Sequence, residues 1–297
     1  GYDFASVLVK TREGRPIKIE NNTDATTNGI ANARVNASVL GLYDNLRVKS
    51  PMRGDTVIPW GTFMSETTSK LNGLSDEKSI VILTNTFPSP STNKLIADFK
   101  DKYGNVSHVA YDAISESAAL DAYEAMYGSR GMANYDFSKA KTIVSVGADF
   151  LGDWQGGGFD SGYSAKRIPD HGKMSRHIQF ESNMTLTGAN ADKRVPLKPS
   201  EQRLALAKLY SYVTGNSVGG DSLSESLDAA VKAAAKEISA AGSNAVVVTG
   251  VQDVNAQTVV LELNTFLNSR AFDCTTVIKT RQGSDKAVIQ LVVDMQS

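Results

Sequence analysis

Few side chains in this sequence combine the type and spacing that chemistry requires. His108, His171 and His177 lack the paired helical spacing of a metal site. The single cysteine, Cys274, excludes a disulfide framework and any all-cysteine zinc or iron–sulfur site within the chain. It reads as a half-buried small side chain rather than a nucleophile. The most informative stretch is KTIVSVGADFLGDWQGGG, residues 141–158. Its β-branched run Thr142–Val146, closed by Gly147, has the pattern of a buried parallel strand that ends in a loop. Ligands of open α/β sheets bind beyond the carboxyl ends of the strands, so Gly147–Trp154 is where a cofactor contact is expected. The plainer reading is a strand end with a tight turn. Asp149 and Asp153 look like a carboxylate pair, but loop aspartates ordinarily cap or turn the backbone.

Motifs with a fixed mechanism are missing. No Gly-x-Gly-x-x-Gly opens a helix after a strand, and there is no Walker lysine loop or Gly-x-Ser-x-Gly elbow. Gly156-Gly157-Gly158 lacks the phosphate-loop spacing, and the GSRG run from Gly128 to Gly131 lacks a preceding strand. His171, after Pro169-Asp170, and His177, leading a strand, read as structural.

Composition narrows the class. The 297 residues suffice for one large or two medium domains with a substantial core. Lys plus Arg number 31 against 32 Asp plus Glu, interspersed throughout, which argues against a nucleic-acid partner. No apolar run approaches the roughly 18–20 residues of a membrane-spanning helix. The chain opens on Gly1-Tyr2-Asp3 without methionine and ends in Asp294-Met295-Gln296-Ser297, so it reads as a cut fragment from which any targeting signal would have been removed.

The elements that position the central stretch follow from periodicity. Residues 5–19 alternate about a Gly14 turn and predict a β-hairpin, with Val7 and Val9 on one strand, Ile17 and Ile19 on the other, and the lysines and arginines solvated. Residues 21–36 read as a loop, and 39–55 as short turns. Residues 60–71 predict a helix offering Phe63, Met64 and Leu71 to a core. Strands are expected at 79–83, 106–110, 142–146, 177–181 and 245–248. Helices are expected at 92–103 (capped by Ser91, with Leu95, Ile96 and Phe99 on one face), from Ser115 or Ser117 to Tyr127, at 201–213 (capped by Ser200), 224–241 and 257–267. The last apolar segment, 287–295, suits either a helix or a strand. Thr214–Asp221 is a connector. Alternating strands and helices of this length predict an α/β fold: Rossmann-like parallel sheets flanked by helices, with an N-terminal β-hairpin arm.

Taken together, several segments resemble the molybdopterin oxidoreductase family. They are GRPIKIEN from Gly14, Asn28-Gly29, SVLGLYDNLR from Ser38, Pro51, Trp60, VSVGADFL from Val144, the run from Glu181 to Leu206, and VVVTGVQDVNAQTVVLELNTFL from Val246. The opening YDFASVLVKTREGRPI from Tyr2 resembles a subgroup, the iron–sulfur subunit of alternative complex III, a bacterial quinol:electron acceptor oxidoreductase. The resemblance implies a hairpin and arm at 1–60. It further implies an incomplete α/β lobe at 61–114 with 284–297, interrupted by a Rossmann-like lobe at 115–283. It also implies the periplasmic side of the bacterial inner membrane, other subunits of a respiratory membrane complex as partners, no nucleic acid and no direct membrane insertion.

Departures from the family pattern shape the functional expectation. The amino-terminal cluster cysteines are absent around Ala31–Arg34. The metal-ligand region of the family corresponds here to Tyr111–Ser115, where Asp112 or Ser115 could serve but read more simply as a loop acid and a helix cap. The family's Pro-Gly-Thr-Asp is Pro199-Ser200-Glu201-Gln202, and a side chain at Ser200 crowds a pyrophosphate. The resemblance therefore implies a non-catalytic scaffold domain, with no catalytic or metal residues, no cofactor of its own, and iron–sulfur clusters in a carboxy-terminal part beyond this sequence. If a pterin or nucleotide pocket survives, Gly147, Asp149, Glu181 and Ser200 contact it. The alternatives are an active molybdenum–pterin oxidoreductase domain and a plain nucleotide-binding Rossmann-like domain.

Overall fold

The computed structural model describes residues 4–25, 29–74, 78–169, 173–219 and 222–296. Tyr2, Asn28, His171 and Asp221, singled out above, lie outside the described residues. The chain forms two compact units, Gly1–Tyr111 with Lys286–Ser297, and Asp112–Asp285.

In the first unit, β1 (Leu8–Arg12) and β2 (Arg15–Glu20) form the antiparallel hairpin, turned at Gly14 with φ +76°. The stretch read as a loop contains a short helix, α1 (Ala33–Ala37), because the Asn32 side chain accepts the Val35 N–H and closes its first turn. A 3₁₀ turn follows at Ser38–Leu42, then a two-residue ladder of β3 (Met52–Arg53) and β4 (Thr56–Val57). Helix α2 (Trp60–Asn72) forms where periodicity put it, but Phe63 and Met64 are exposed rather than in a core. The parallel pair β5 (Ile80–Thr84) and β6 (Val106–Ala110) flanks α3 (Pro90–Tyr103) in a βαβ unit. Ser89, not Ser91, caps α3: Pro90 presets the first helical φ, so the capping hydroxyl must precede it. Leu95 is exposed, and Thr92, Ile96, Phe99 and Tyr103 form the half-buried stripe instead.

The second unit opens with α4 (Ser117–Tyr127), which buries Ala119, Leu120 and Tyr123 and leaves Met126 half-buried. Strand β7 (Met132–Tyr135) was not legible in the sequence. Strand β8 (Thr142–Val146), short helix α5 (Asp160–Ser164), β9 (Arg176–Glu181), α6 (Leu186–Ala189) and β10 (Lys193–Pro196) follow. Helix α7 (Pro199–Thr214) begins one residue before Ser200, which is therefore not its cap; the Glu201 carboxylate instead accepts the Lys198 N–H at 2.8 Å. Helix α8 (Glu225–Ala241, capped by Ser224), β11 (Ala245–Thr249), α9 (Val254–Phe266) and β12 (Phe272–Ile278) complete the unit. Strand β12 pairs antiparallel with β7. The final segment is a helix, α10 (Asp285–Asp294).

The centre of this unit is a parallel sheet in the order β10-β9-β8-β11. Alternation along β8 and β11 sends Val144 and Val247 to one face and Ile143, Val246 and Val248 to the other. One face packs on Leu206, Leu209, Val231, Ile238, Val260 and Leu263 of α7, α8 and α9. The other packs on Tyr123, Tyr135, Phe137, Phe150, Trp154 and Tyr163. Each such fully buried side chain contributes roughly 1.5–3 kcal/mol.

Strand β11 lies at the sheet edge, yet its outward groups are bonded. Ser269 Oγ donates to the Ala245 carbonyl (2.6 Å), and Trp154 Nε1 donates to that of Thr249 (2.9 Å). Between them, the Asn264 amide accepts the Val247 N–H (2.9 Å) and donates to the Val247 carbonyl (2.7 Å). Side chains thus stand in for the missing neighbour strand. No helix among the described residues is long and apolar enough to cross a membrane.

Candidate functional site

The chain runs from β8 outward to β9 and β10, then returns to β11 on the opposite side of β8. The order reverses between β8 and β11, and in such sheets the crevice beyond the carboxyl ends at that point is where ligands bind. Here the turns after β8 and β11 pack on each other and on Trp154. Gly147 turns the chain after β8 with φ +71°, and its N–H donates to the Phe180 carbonyl at 2.8 Å. Gly250, the turn after β11, donates to the Val146 carbonyl (3.0 Å) and lies so close to Gly147 that any Cβ would collide with the Gly147 carbonyl oxygen. Beside this contact, Trp154 is buried, its indole N–H on the Thr249 carbonyl.

The next residue, Gln155, holds a left-handed backbone (φ +51°) and donates its N–H at 3.1 Å to the carboxylate of Glu116, which stands just before α4. Glu116 is 5% exposed, and burial pushes its carboxyl above the usual range. Arg281, 3% exposed, packs its guanidinium against Gly156, where an added Cβ would come within 3.2 Å of Nη2. A buried carboxyl with a raised pKa beside a buried guanidinium has the chemistry of a proton donor or acceptor.

A second polar cluster sits at the end of β9. That strand places His177, Gln179 and Glu181 on one face, all buried. The Gln179 amide donates to Glu181 Oε2 (3.3 Å) and the Ala148 carbonyl (3.2 Å), which turns its oxygen toward His177 Nε2 (3.2 Å). His177 therefore carries its proton on Nε2, and Nδ1 faces the Tyr163 hydroxyl at 3.1 Å. Burial pulls the His177 pKa down to about 4, so the ring is neutral near pH 7. Glu181 accepts from Arg194 Nε (2.6 Å) and the Thr185 hydroxyl (2.7 Å), and its carboxylate fills the space where a side chain at Gly188 would go. Asp149 accepts both the N–H (3.0 Å) and the hydroxyl (2.6 Å) of Thr187. Asp149 and Glu181 thus converge on α6, and each grips it as a structural carboxylate.

The other residues singled out in the sequence lie elsewhere. Ser200 is exposed in the first turn of α7, on a cleft of about 420 Å³ shared with Arg203, Leu204, Ala207, Val218 and Asp253. Gln202 on the same helix reaches Gly147 and Ser182 instead. Asp112 is buried and accepts the Gly283 N–H at 3.1 Å. Ser115 donates to the Asp285 carboxylate (2.9 Å) and accepts the Ser117 N–H (3.1 Å). Asp153 lies beside Glu116 rather than sharing a site with Asp149. Cys274 is half-buried on β12, and His108 bonds Thr84 at 2.7 Å. Among the described residues, no group of three or more His, Cys, Asp or Glu is placed to hold a metal ion.

No family model matches the sequence, and no curated protein does. Solved structures do. Acetylene hydratase from Pelobacter acetylenicus matches with a TM-score of 0.59 at 15% identity, over 90% of this chain and 43% of that one. A chain of the formyltransferase/hydrolase complex from Methylorubrum extorquens, solved with methylofuran, matches with a TM-score of 0.51 at 14% identity, over 72% and 56%. The chain therefore spans about half the length of either neighbour. The likeness is a distant one to a molybdenum-enzyme-like fold, and it concerns the fold alone.

Glu116 and Arg281 were not legible in the sequence. They stand 165 positions apart (281 − 116), neither sits in a motif, and only the packing of the 154–158 turn brings them together.

Proposed function

We propose that this chain is a non-catalytic, molybdopterin-oxidoreductase-like scaffold domain of a membrane-associated respiratory electron-transfer complex. The observation that carries the reading is the packing at the ends of β8 and β11, where the Trp154 indole is buried on the Thr249 carbonyl and the Gly147 and Gly250 turns lie in close contact. The neighbouring acids support it. Asp149 and Glu181 bond α6 and Arg194, and Asp112 and Ser115 bond Gly283 and Asp285. These residues fit one another rather than a pterin nucleotide or a metal ion. On this reading the ordered family-like segments preserve a fold whose cofactor has been lost. The domain holds other subunits on the periplasmic side of the inner membrane, and iron–sulfur clusters in a carboxy-terminal part of the protein carry the electrons.

The test is elemental analysis for molybdenum, tungsten and iron on the natively purified protein, with fluorescence detection of released pterin from the same sample. Iron without molybdenum, tungsten or pterin supports the scaffold. Stoichiometric molybdenum or tungsten with pterin overturns it and makes the chain part of an enzyme.

A further inference from the structure

The hairpin carries a charge arrangement that its own fold does not neutralise. Its register sets Lys10 opposite Lys18 and Arg12 opposite Arg15. Directly paired residues share a face, and the two-residue period keeps Lys10 and Arg12 on the same side of β1. The register shift falls on β2, where Ile17 is passed over, so β1 alternates without interruption. One face of the ribbon therefore shows four exposed cations in two like-charged pairs, and like charges directly opposite each other destabilise a ladder. Glu20 pairs with Lys18 (3.0 Å) and also attracts Lys10, one carboxylate against four cations.

The two strands differ in how they are covered. Strand β2 is braced: the Tyr43 hydroxyl donates to the Pro16 carbonyl at 2.6 Å, and Ile19 is buried. Strand β1 pairs with β2 alone among the described residues, and all five of its residues are exposed. A strand left this way presents unpaired backbone groups to any extended chain.

We propose that β1 is the docking edge for an extended acidic segment of a partner protein, which adds to the ribbon as a third strand. Carboxylates at alternate positions of that segment recur at the same spacing as Lys10 and Arg12, about 6.6 Å, and lie beside them on the cationic face. An anionic bilayer is the weaker fit. It makes no use of the open backbone edge. The proposal stands on the hairpin alone and is independent of what the strand ends of the parallel sheet hold.

The experiment uses the full chain and a fluorescein-labelled peptide that alternates glutamate with valine, followed by anisotropy. Three comparisons accompany it: the same peptide with alternate amides N-methylated, the Lys10→Gln/Arg12→Gln variant, and vesicles of phosphatidylglycerol with phosphatidylcholine. The expected result is saturable peptide binding that weakens at least about tenfold in the variant, about tenfold on N-methylation, and steeply with added salt. No peptide binding overturns the proposal. Equal binding of the N-methylated peptide refutes strand addition, and binding to the vesicles without binding to the peptide assigns the surface to lipid.

Discussion

Gly188→Ala is the sharpest test of how the carboxylate at the end of β9 is held. Gly188 lies inside α6 without a left-handed backbone angle, so alanine suits the helix and by itself gains up to about 1 kcal/mol. The added methyl, however, points into the Glu181 carboxylate. That group is 2% exposed and has no water to retreat into. Moving it breaks the Arg194 bond (2.6 Å) and the Thr185 bond (2.7 Å). Charged hydrogen bonds contribute about 1.5–3 kcal/mol each, so the loss is about 3–6 kcal/mol before relaxation. Set against the helical gain, the expected net destabilisation is about 2–5 kcal/mol. Urea unfolding followed by Trp154 emission measures it, in a Trp60→Phe background so that the signal reports the second unit. In a Glu181→Ala background the increment for Gly188→Ala should fall to near zero, because the colliding group is gone. A cost of the same size in both backgrounds, or a neutral Gly188→Ala alone, refutes the reasoning.

Asn264→Leu removes both bonds to the outward groups of Val247 and should cost about 2–5 kcal/mol with increased aggregation, read by urea unfolding and light scattering. Gly250→Ala should destabilise more than Gly147→Ala, since its methyl meets backbone while that at Gly147 meets the movable end of Gln202, although the latter strains φ +71°; paired melting curves rank them. His177 is neutral in the fold with a pKa of about 4, whereas the unfolded chain takes up the proton near 6.5. Its stabilisation is therefore intact above pH 6.5 and lost as pH falls from 6.5 to 4, by at most about 3 kcal/mol, and His177→Gln should flatten the urea midpoint over that window.

Much of the α/β pattern was legible because hydrophobic period and turn chemistry are local properties. The runs at Ile80–Thr84, Thr142–Val146 and Ala245–Thr249 are β-branched and bounded by turn residues, and they are strands. The 3.6-residue pattern at 224–241 is a helix, α8, with Ser224 as its cap rather than its first residue. The strands MANY, KRVP and FDCTTVI were not legible: they are short or polar, and only their pairing partners make them strands. Gly147, Asp149 and Glu181 were legible as strand-end residues, but not what they touch.

By itself, then, the sequence determined the strand–helix alternation, the hairpin and the position of the strand-end turns, since each follows from side chains within a few residues of one another. Only the tertiary structure decided that the polar face HIQFE of β9 is buried, that β11 is closed by Asn264, Ser269 and Trp154, and that Glu116 meets the 155 turn beside Arg281. Each of those depends on groups from distant segments satisfying one another's charge and hydrogen bonds. Such pairing is fixed by packing and leaves no local period to read.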